Sequence, residues 1–275
     1  MLLKFTKMHG LVDDFMVVNG VTQKVFFSPE LIKRLSNRQF GVGFDKLILV
    51  EPPYDPEVDF HYQLFDSTGK EVEASLDSAQ CFTRFVVDHH LINKREVKAS
   101  SSSSSFNLRL NDDDTVTLNV GIPNFCAKNY SEKKQKNFIC NNVKEKNILA
   151  FDFVSLVKSY CIVFVDKLED IDPEKIIFKV ESHPCYSNKT QIIFAQVINS
   201  HNFKAIAFSR DCKELKLNQL ELCSACVLGI RKGYLSSPAK CSFSSGEIII
   251  SWSGDCDPVY ITATSERVFE GVISV

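Results

Sequence analysis

What most limits the fold of this chain is the run of short segments whose apolar and polar residues alternate with the two-residue period of a β-strand. "LLKFTKM", "FMVVNG", "KLILVE", "DFHYQLF", "FNLRLN", "TVTLNVG", "CIVFVD", "IIFAQVIN", "FKAIAFS", "EIIISWSG" and "VYITATS" follow one another along its length. Helical spacing is rarer. "SPELIKRLSN" carries Ser28 as an N-cap and Pro29 in the first turn. Two longer helices are expected over about 78–91 and 218–233, and "DPEKIIFKVE" is a weaker candidate. Many strands with two long buried helices predict an α+β fold of two halves, each a curled, mostly antiparallel sheet around a central helix. The two helices open alike, with Ser75 six residues before Cys81 and Asn218 five before Cys223. Each follows a strand and a polar turn, the mark of an internal repeat and of pseudo-symmetric halves.

The serine run from Ser100 to Ser105 is flanked by strand patterns, so it reads as the tip of a degenerate hairpin rather than a free linker. "GIPNF" (121–125) is the expected boundary, giving a first half of 1–121 and a second of 122–264.

A net charge of −2 and a pI near 6.3 leave no electrostatic footprint for nucleic acid. No apolar run is long enough to span a bilayer, and "MLLKFTKMHG" is too short in apolar residues for a secretory signal. A cytoplasmic protein without membrane partners is expected. Its ten cysteines are then reduced thiols packed as small apolar side chains. The C-x-x-C pair Cys223 and Cys226 lies in a helical pattern and lacks a partner pair at zinc-ligand spacing, so no metal is expected.

"FTKMHGLVDDFMVVNG", "SNRQFGVGFDKLILVEPPYDPEVDFHYQLFDSTGKEV" and "DPVYITATSERVFEGVISV" together resemble the diaminopimelate epimerase family. His9, Gly10, Asp14, Phe15, Gly41, Gly43, Phe44, Asp45 and Gly69 stand in matching positions. The resemblance runs nearly end to end, strongest over the first 90 residues and patchy between about 125 and 190. It implies the family's fold, with 265–275 rejoining the first half, and a homodimer in which Phe269 holds the place of a C-terminal tyrosine. It also implies the family's reaction, the cofactor-independent interconversion of LL- and meso-2,6-diaminopimelate for lysine and peptidoglycan synthesis. There a thiolate on one face of the substrate Cα removes a proton while a thiol on the other delivers one. The free thiol pKa of ~8.5 is lowered by a helix N-terminus, which suits the task. Each half supplies one thiol from a Gly-rich turn, and the same helix starts donate N–H groups to the substrate carboxylate.

This chain departs from that design at nearly every chemical position. Ser75 stands at the first catalytic cysteine and Asn218 at the second. The later cysteines of both motifs, Cys81 and Cys223, remain and are expected inside the helices. Among substrate-holding positions Arg210 is retained, while Asp13, Lys46, Asp66, Leu76, Asp77, Lys158, Gln191 and Ser209 are substituted. An amide neither gives up nor takes a proton at neutral pH. A serine acts as a base only beside an activating group, and no histidine is near Ser75 in sequence. Each acid or base contributes about 10²–10⁴ in rate. Asp77 brings a like charge toward a bound carboxylate, worth about 4 kcal/mol at 4 Å and an effective dielectric of 20.

Three readings follow. The first is a homologue that is inactive or nearly so. The second is an active isomerase of the same fold with other bases, with Asp211, Cys212 or Glu214 as candidates. The third is a non-catalytic binding or assembly protein. Whether the chain is an enzyme stays open at this point, and diaminopimelate is the expected ligand if the site still binds. His9, His89 and His90 read as packed or surface residues, and Trp252 as core.

Overall fold

A computed structural model describes residues 2–102, 104–125, 148–183, 186–209, 213–243, 246–254 and 256–275. The chain divides into two compact units, residues 1–119, 243–247 and 262–275 forming the first and residues 120–242 and 248–261 the second.

In the first unit β1 (Leu2–His9), β2 (Asp14–Asn19), β3 (Lys46–Glu51) and β4 (Phe60–Asp66) form the centre of a sheet. β5 (Glu96–Ser100), β6 (Ser105–Leu110) and β7 (Thr115–Gly121) extend it on one side, and β16 (Glu266–Ser274) pairs with β1 on the other. β2–β3 and β4–β5 are parallel, and the remaining pairs are antiparallel. β2 and β3 are buried along both faces, as strands covered from two sides must be. Helix α1 (Pro29–Ser36) is started by Ser28, whose Oγ accepts the Leu31 N–H at 3.2 Å. It packs Ile32 and Leu35 against Leu3, Met16, Val18 and Leu47. Helix α2 (Leu76–Asp88) lies on the sheet and is buried over most of its circumference. Phe82 stacks on Tyr62 with ring centroids 4.8 Å apart. The helix ends where His90 takes a positive φ of 52°.

The second unit repeats the plan. β8 (Ile148–Leu156) and β9 (Lys158–Val165) are antiparallel, β9 and β10 (Gln191–Asn199) parallel, and β10 and β11 (Asn202–Phe208) antiparallel. β13 (Ala239–Phe243) then lies parallel to β11, with β14 (Gly246–Ser251) and β15 (Val259–Thr264) next in order. The short β12 (Glu214–Leu215) also pairs with β11. Helix α3 (Pro173–Glu181), capped by Asp172, sits between β9 and β10 in the chain as α1 sits between β2 and β3. It buries Ile176, Ile177 and Val180 against Phe151, Val163 and Phe194. Helix α4 (Gln219–Arg231) is buried almost all round, the counterpart of α2. The α+β fold of two pseudo-symmetric halves, each built around one central helix, is as the sequence predicts.

The serine run closes the β5–β6 hairpin, with Ser100 opposite Ser105. Trp252 is core, 4 % exposed, and its Nε1–H donates to the Asp257 carbonyl at 3.1 Å. Among the described residues no helix is long and apolar enough to cross a membrane.

Candidate functional site

Each central helix opens on a polar cap, and the two caps hold the residues that the sequence places at the reacting positions. Ser75 is extended (φ −98°, ψ 161°) and caps α2. Its Oγ accepts the Ser78 N–H at 3.1 Å, and Ser78 Oγ accepts the Ser75 N–H at 3.0 Å. The Ser78 hydroxyl donates to the Ser75 carbonyl at 2.8 Å. This reciprocal box satisfies donors that the first turn of a helix otherwise leaves open.

Asn218 does the same for α4. Its Oδ1 accepts from Leu220 N–H (2.9 Å) and Glu221 N–H (3.2 Å), while Glu221 Oε2 accepts the Asn218 N–H at 2.7 Å. Asn218 Nδ2 donates to Glu221 Oε1 at 3.0 Å. Glu221, 3 % exposed, was not foreseen as part of the site. Its signal was present in "NQLE", the N-cap-x-x-Glu spacing of a capping box. Burial pushes its carboxyl up, against the Asn218 N–H, a hydrogen bond to Gln191 and the charge of Lys158.

Of the first-unit positions that the resemblance implies hold substrate, Lys46 and Asp13 pair with each other, and Asp77 and Asp66 bond elsewhere. Lys46 Nζ lies 2.6 Å from Asp13 Oδ2. Asp77 is buried, and its carboxylate accepts from the N–H groups of Leu11, Val12 and Asp13 at 2.8, 3.1 and 2.9 Å. The sequence treats Asp77 as a like charge facing a ligand; in the structure that charge is turned into the loop before β2. Burial raises its pKa, and the three N–H bonds pull the other way. Asp66 is opposite Lys46 in the β3–β4 register, but its carboxylate closes its own turn through Thr68 N (2.9 Å), Thr68 Oγ1 (2.6 Å) and Lys70 N (3.1 Å). Leu76 is the first helical residue and is half-buried.

In the second unit Gln191 and Ser209 line one pocket of about 250 Å³ with Lys189, Asn188, Ile177 and Phe208. Ser209 also closes a turn, its N–H donating to the Lys213 carbonyl at 2.8 Å and its Oγ accepting the Lys213 N–H at 3.1 Å. Lys158 opens β9 immediately after Val157, which has a positive φ of 60°. Glu214 is exposed in β12. Arg210, Asp211 and Cys212 lie outside the described residues.

The remaining thiols of the motifs are remote from solvent. Cys81 and Cys223 are 0 % exposed, and burial raises the pKa of both. A thiol held neutral in an apolar helix neither takes nor gives a proton readily. Cys226 is equally buried, so both sulfurs of the C-x-x-C pair face packed interior. His9 contacts the Gly10 carbonyl and stands 3.6 Å from Glu266, and His89 meets Thr6 at 3.1 Å and packs on Phe85. Phe269 is 46 % exposed on β16 and meets Phe5 edge-on at 5.9 Å.

Residues 5–126 match the family model described as diaminopimelate epimerase. Among solved structures, a PhzF-family phenazine biosynthesis protein of Bacillus anthracis superposes with a TM-score of 0.62 at 11 % identity, covering 100 % of both chains. A hydroxyproline epimerase from Agrobacterium vitis, with trans-4-hydroxy-L-proline bound, gives 0.60 at 11 % identity over 99 % of this chain and 92 % of that one. A methylitaconate-delta-isomerase gives 0.62 at 10 % identity over 99 % and 95 %. The resemblance to the diaminopimelate epimerase family therefore holds by sequence over residues 5–126, and the solved structures share the chain's fold over nearly its whole length.

Proposed function

We propose that this chain is a diaminopimelate epimerase homologue in which two-base proton transfer is inactive or nearly so. The observation that supports this is the state of the two helix starts. Where the family's chemistry calls for a pair of titrating thiols, Ser75 and Asn218 spend their side-chain oxygens on backbone N–H groups of α2 and α4. An amide does not titrate near neutral pH, and among the described residues the serine's hydrogen-bond partners include no activating base. The carboxyl in the first turn of α4, Glu221, is bonded to Asn218 through both oxygens and is 3 % exposed, and the one in the first turn of α2, Asp77, accepts from the N–H groups of Leu11, Val12 and Asp13.

A small amino acid is the ligand class this reading carries, and the chain acts in the cytoplasm as a homodimer. The exposed aromatic Phe269 on β16 supports a self-association surface there. Its substitution by Glu is expected to shift the sedimentation coefficient toward the monomer.

The decisive experiment follows exchange of the Cα proton of LL-diaminopimelate into deuterated water, beside an authentic epimerase. Exchange at the rate of an enzyme-free control is expected. Exchange clearly above that control would refute the proposal, and a thermal shift with diaminopimelate in the absence of exchange would mark a binding role.

A further inference from the structure

Asp77 is seated the way a bound ligand would be. One of its carboxylate oxygens accepts from Leu11 N–H, and the other from Val12 and Asp13 N–H. Consecutive backbone N–H groups that converge on one point form a nest, a concavity suited to anions. The loop is folded tightly to present them, the Gly10 N–H donating to the Asp13 carbonyl at 3.0 Å. Gly10 also forms the wall of the cradle, where a Cβ would lie 2.2 Å from Asp77 Oδ1 and 2.4 Å from Cγ. The group sits 3 % exposed, and Asp13, the charge beside it, is offset by Lys46 at 2.6 Å.

We propose that residues 10–13 are a receptor for a single carboxylate, and that Asp77 fills it as a ligand carried by the chain itself. While Asp77 is in place, external carboxylates are excluded from this part of the first unit. Without that side chain the loop binds small monocarboxylates. Carboxylate chemistry is indicated because both oxygens are used, one by one donor and the other by two, an arrangement that a spherical halide cannot reproduce. The inference rests on the loop's geometry, and holds or fails separately from the question of proton transfer.

The test is Asp77→Gly in the full chain, because acetate supplies the atoms that this change deletes. In sodium chloride the variant is expected to melt below wild type. In sodium acetate of equal ionic strength its Tm should climb with acetate concentration, as linkage to a bound ligand requires, with formate giving a smaller rise. Wild type and Asp77→Asn, whose cradles stay filled, should respond no more to acetate than to chloride. If Asp77→Gly fails to fold in chloride, refolding yield becomes the readout. Recovery in acetate alone supports the receptor, and recovery in neither salt overturns it. An acetate response as large in wild type as in the variant overturns it as well.

Discussion

Asp14 is where the charges of the first unit converge, and its removal can be worked through quantitatively. Arg38 grips the carboxylate with two parallel bonds, Nη1–Oδ2 and Nη2–Oδ1, both 2.9 Å. Lys7 Nζ approaches Oδ2 at 2.6 Å and also donates to the Gly43 carbonyl, and the Asp45 N–H reaches Oδ1 at 2.8 Å. The side chains of Lys7, Asp14 and Arg38 are 10, 21 and 59 % exposed, and this decides which contact matters. The arginine arm is largely in water and contributes about 0–1 kcal/mol. Stranding a buried cation costs about 3–5 kcal/mol. The Gly43 carbonyl still serves Lys7, so Asp14→Asn should cost about 3 kcal/mol at pH 7, near the lower end of that range.

The pH dependence has a definite sign. Burial alone would raise the Asp14 pKa, but the hydrogen bonds from Arg38, Lys7 and Asp45 outweigh it and hold the carboxyl well below the usual range. A group depressed in the folded state stabilises fully above its unfolded pKa of about 3.9, and that share is lost as pH falls through it toward the folded value. Urea unfolding of wild type, Asp14→Asn, Lys7→Met and the double variant provides the assay. The gap between wild type and Asp14→Asn should narrow below about pH 5. The double variant should cost less than the sum of the singles, since no cation is then stranded. A loss under about 0.5 kcal/mol at pH 7, the size of an ordinary surface change, or a gap unchanged down to pH 3, would refute the reasoning.

Gly10→Ala places a methyl against the Asp77 carboxylate and should cost about 2–3 kcal/mol through the displaced hydrogen bonds, yet little in the Asp77→Gly background; denaturation of all the variants checks both parts. Tyr160 buries a hydroxyl that has no partner among the described residues, so Tyr160→Phe should raise stability by about 1 kcal/mol; a lower melting temperature would show the hydroxyl to be bonded. Val157 is 82 % exposed with φ at 60°, a conformation that β-branched residues resist. Val157→Asn should therefore stabilise by about 1 kcal/mol, and a variant no more stable than wild type would remove the strain argument.

Legibility in the sequence followed burial. β7 shows regular alternation over Thr115–Gly121, and its expected span agrees with the observed one because alternate side chains such as Val116 and Leu118 enter the core. β16 left no such trace. Its side chains are mostly exposed, and it is a strand because it pairs with β1 from Leu2–Ser274 to His9–Glu266, a long-range fact that no local pattern encodes. β8 and β13 were missed as well. α2 starts two residues earlier than its apolar spacing predicts, because Ser75 and Ser78 begin it as a capping box before the first buried apolar residue.

The candidate site divides along the same line. That a polar turn precedes each central helix could be read from the sequence, though the start of α2 was expected at 78 rather than at Leu76, and "NQLE" carried the spacing of the Asn218–Glu221 box. The direction of Asp77 could not, since it is decided by a loop more than sixty residues away in the chain. Nor could the meeting of Gln191 and Ser209 in one pocket, which depends on β10 and β11 folding back on each other. Stability and chemistry meet at the N-cap. Thiols are weak hydrogen-bond acceptors, whereas Ser and Asn are among the best caps, worth about 1 kcal/mol each over a non-capping residue. Oxygen acceptors at both positions secure the helix starts, and an atom bonded to its own helix is withdrawn from proton traffic with a ligand. On the proposed reading these positions serve to hold the helices, and catalysis would need an acid–base group from beyond the two caps.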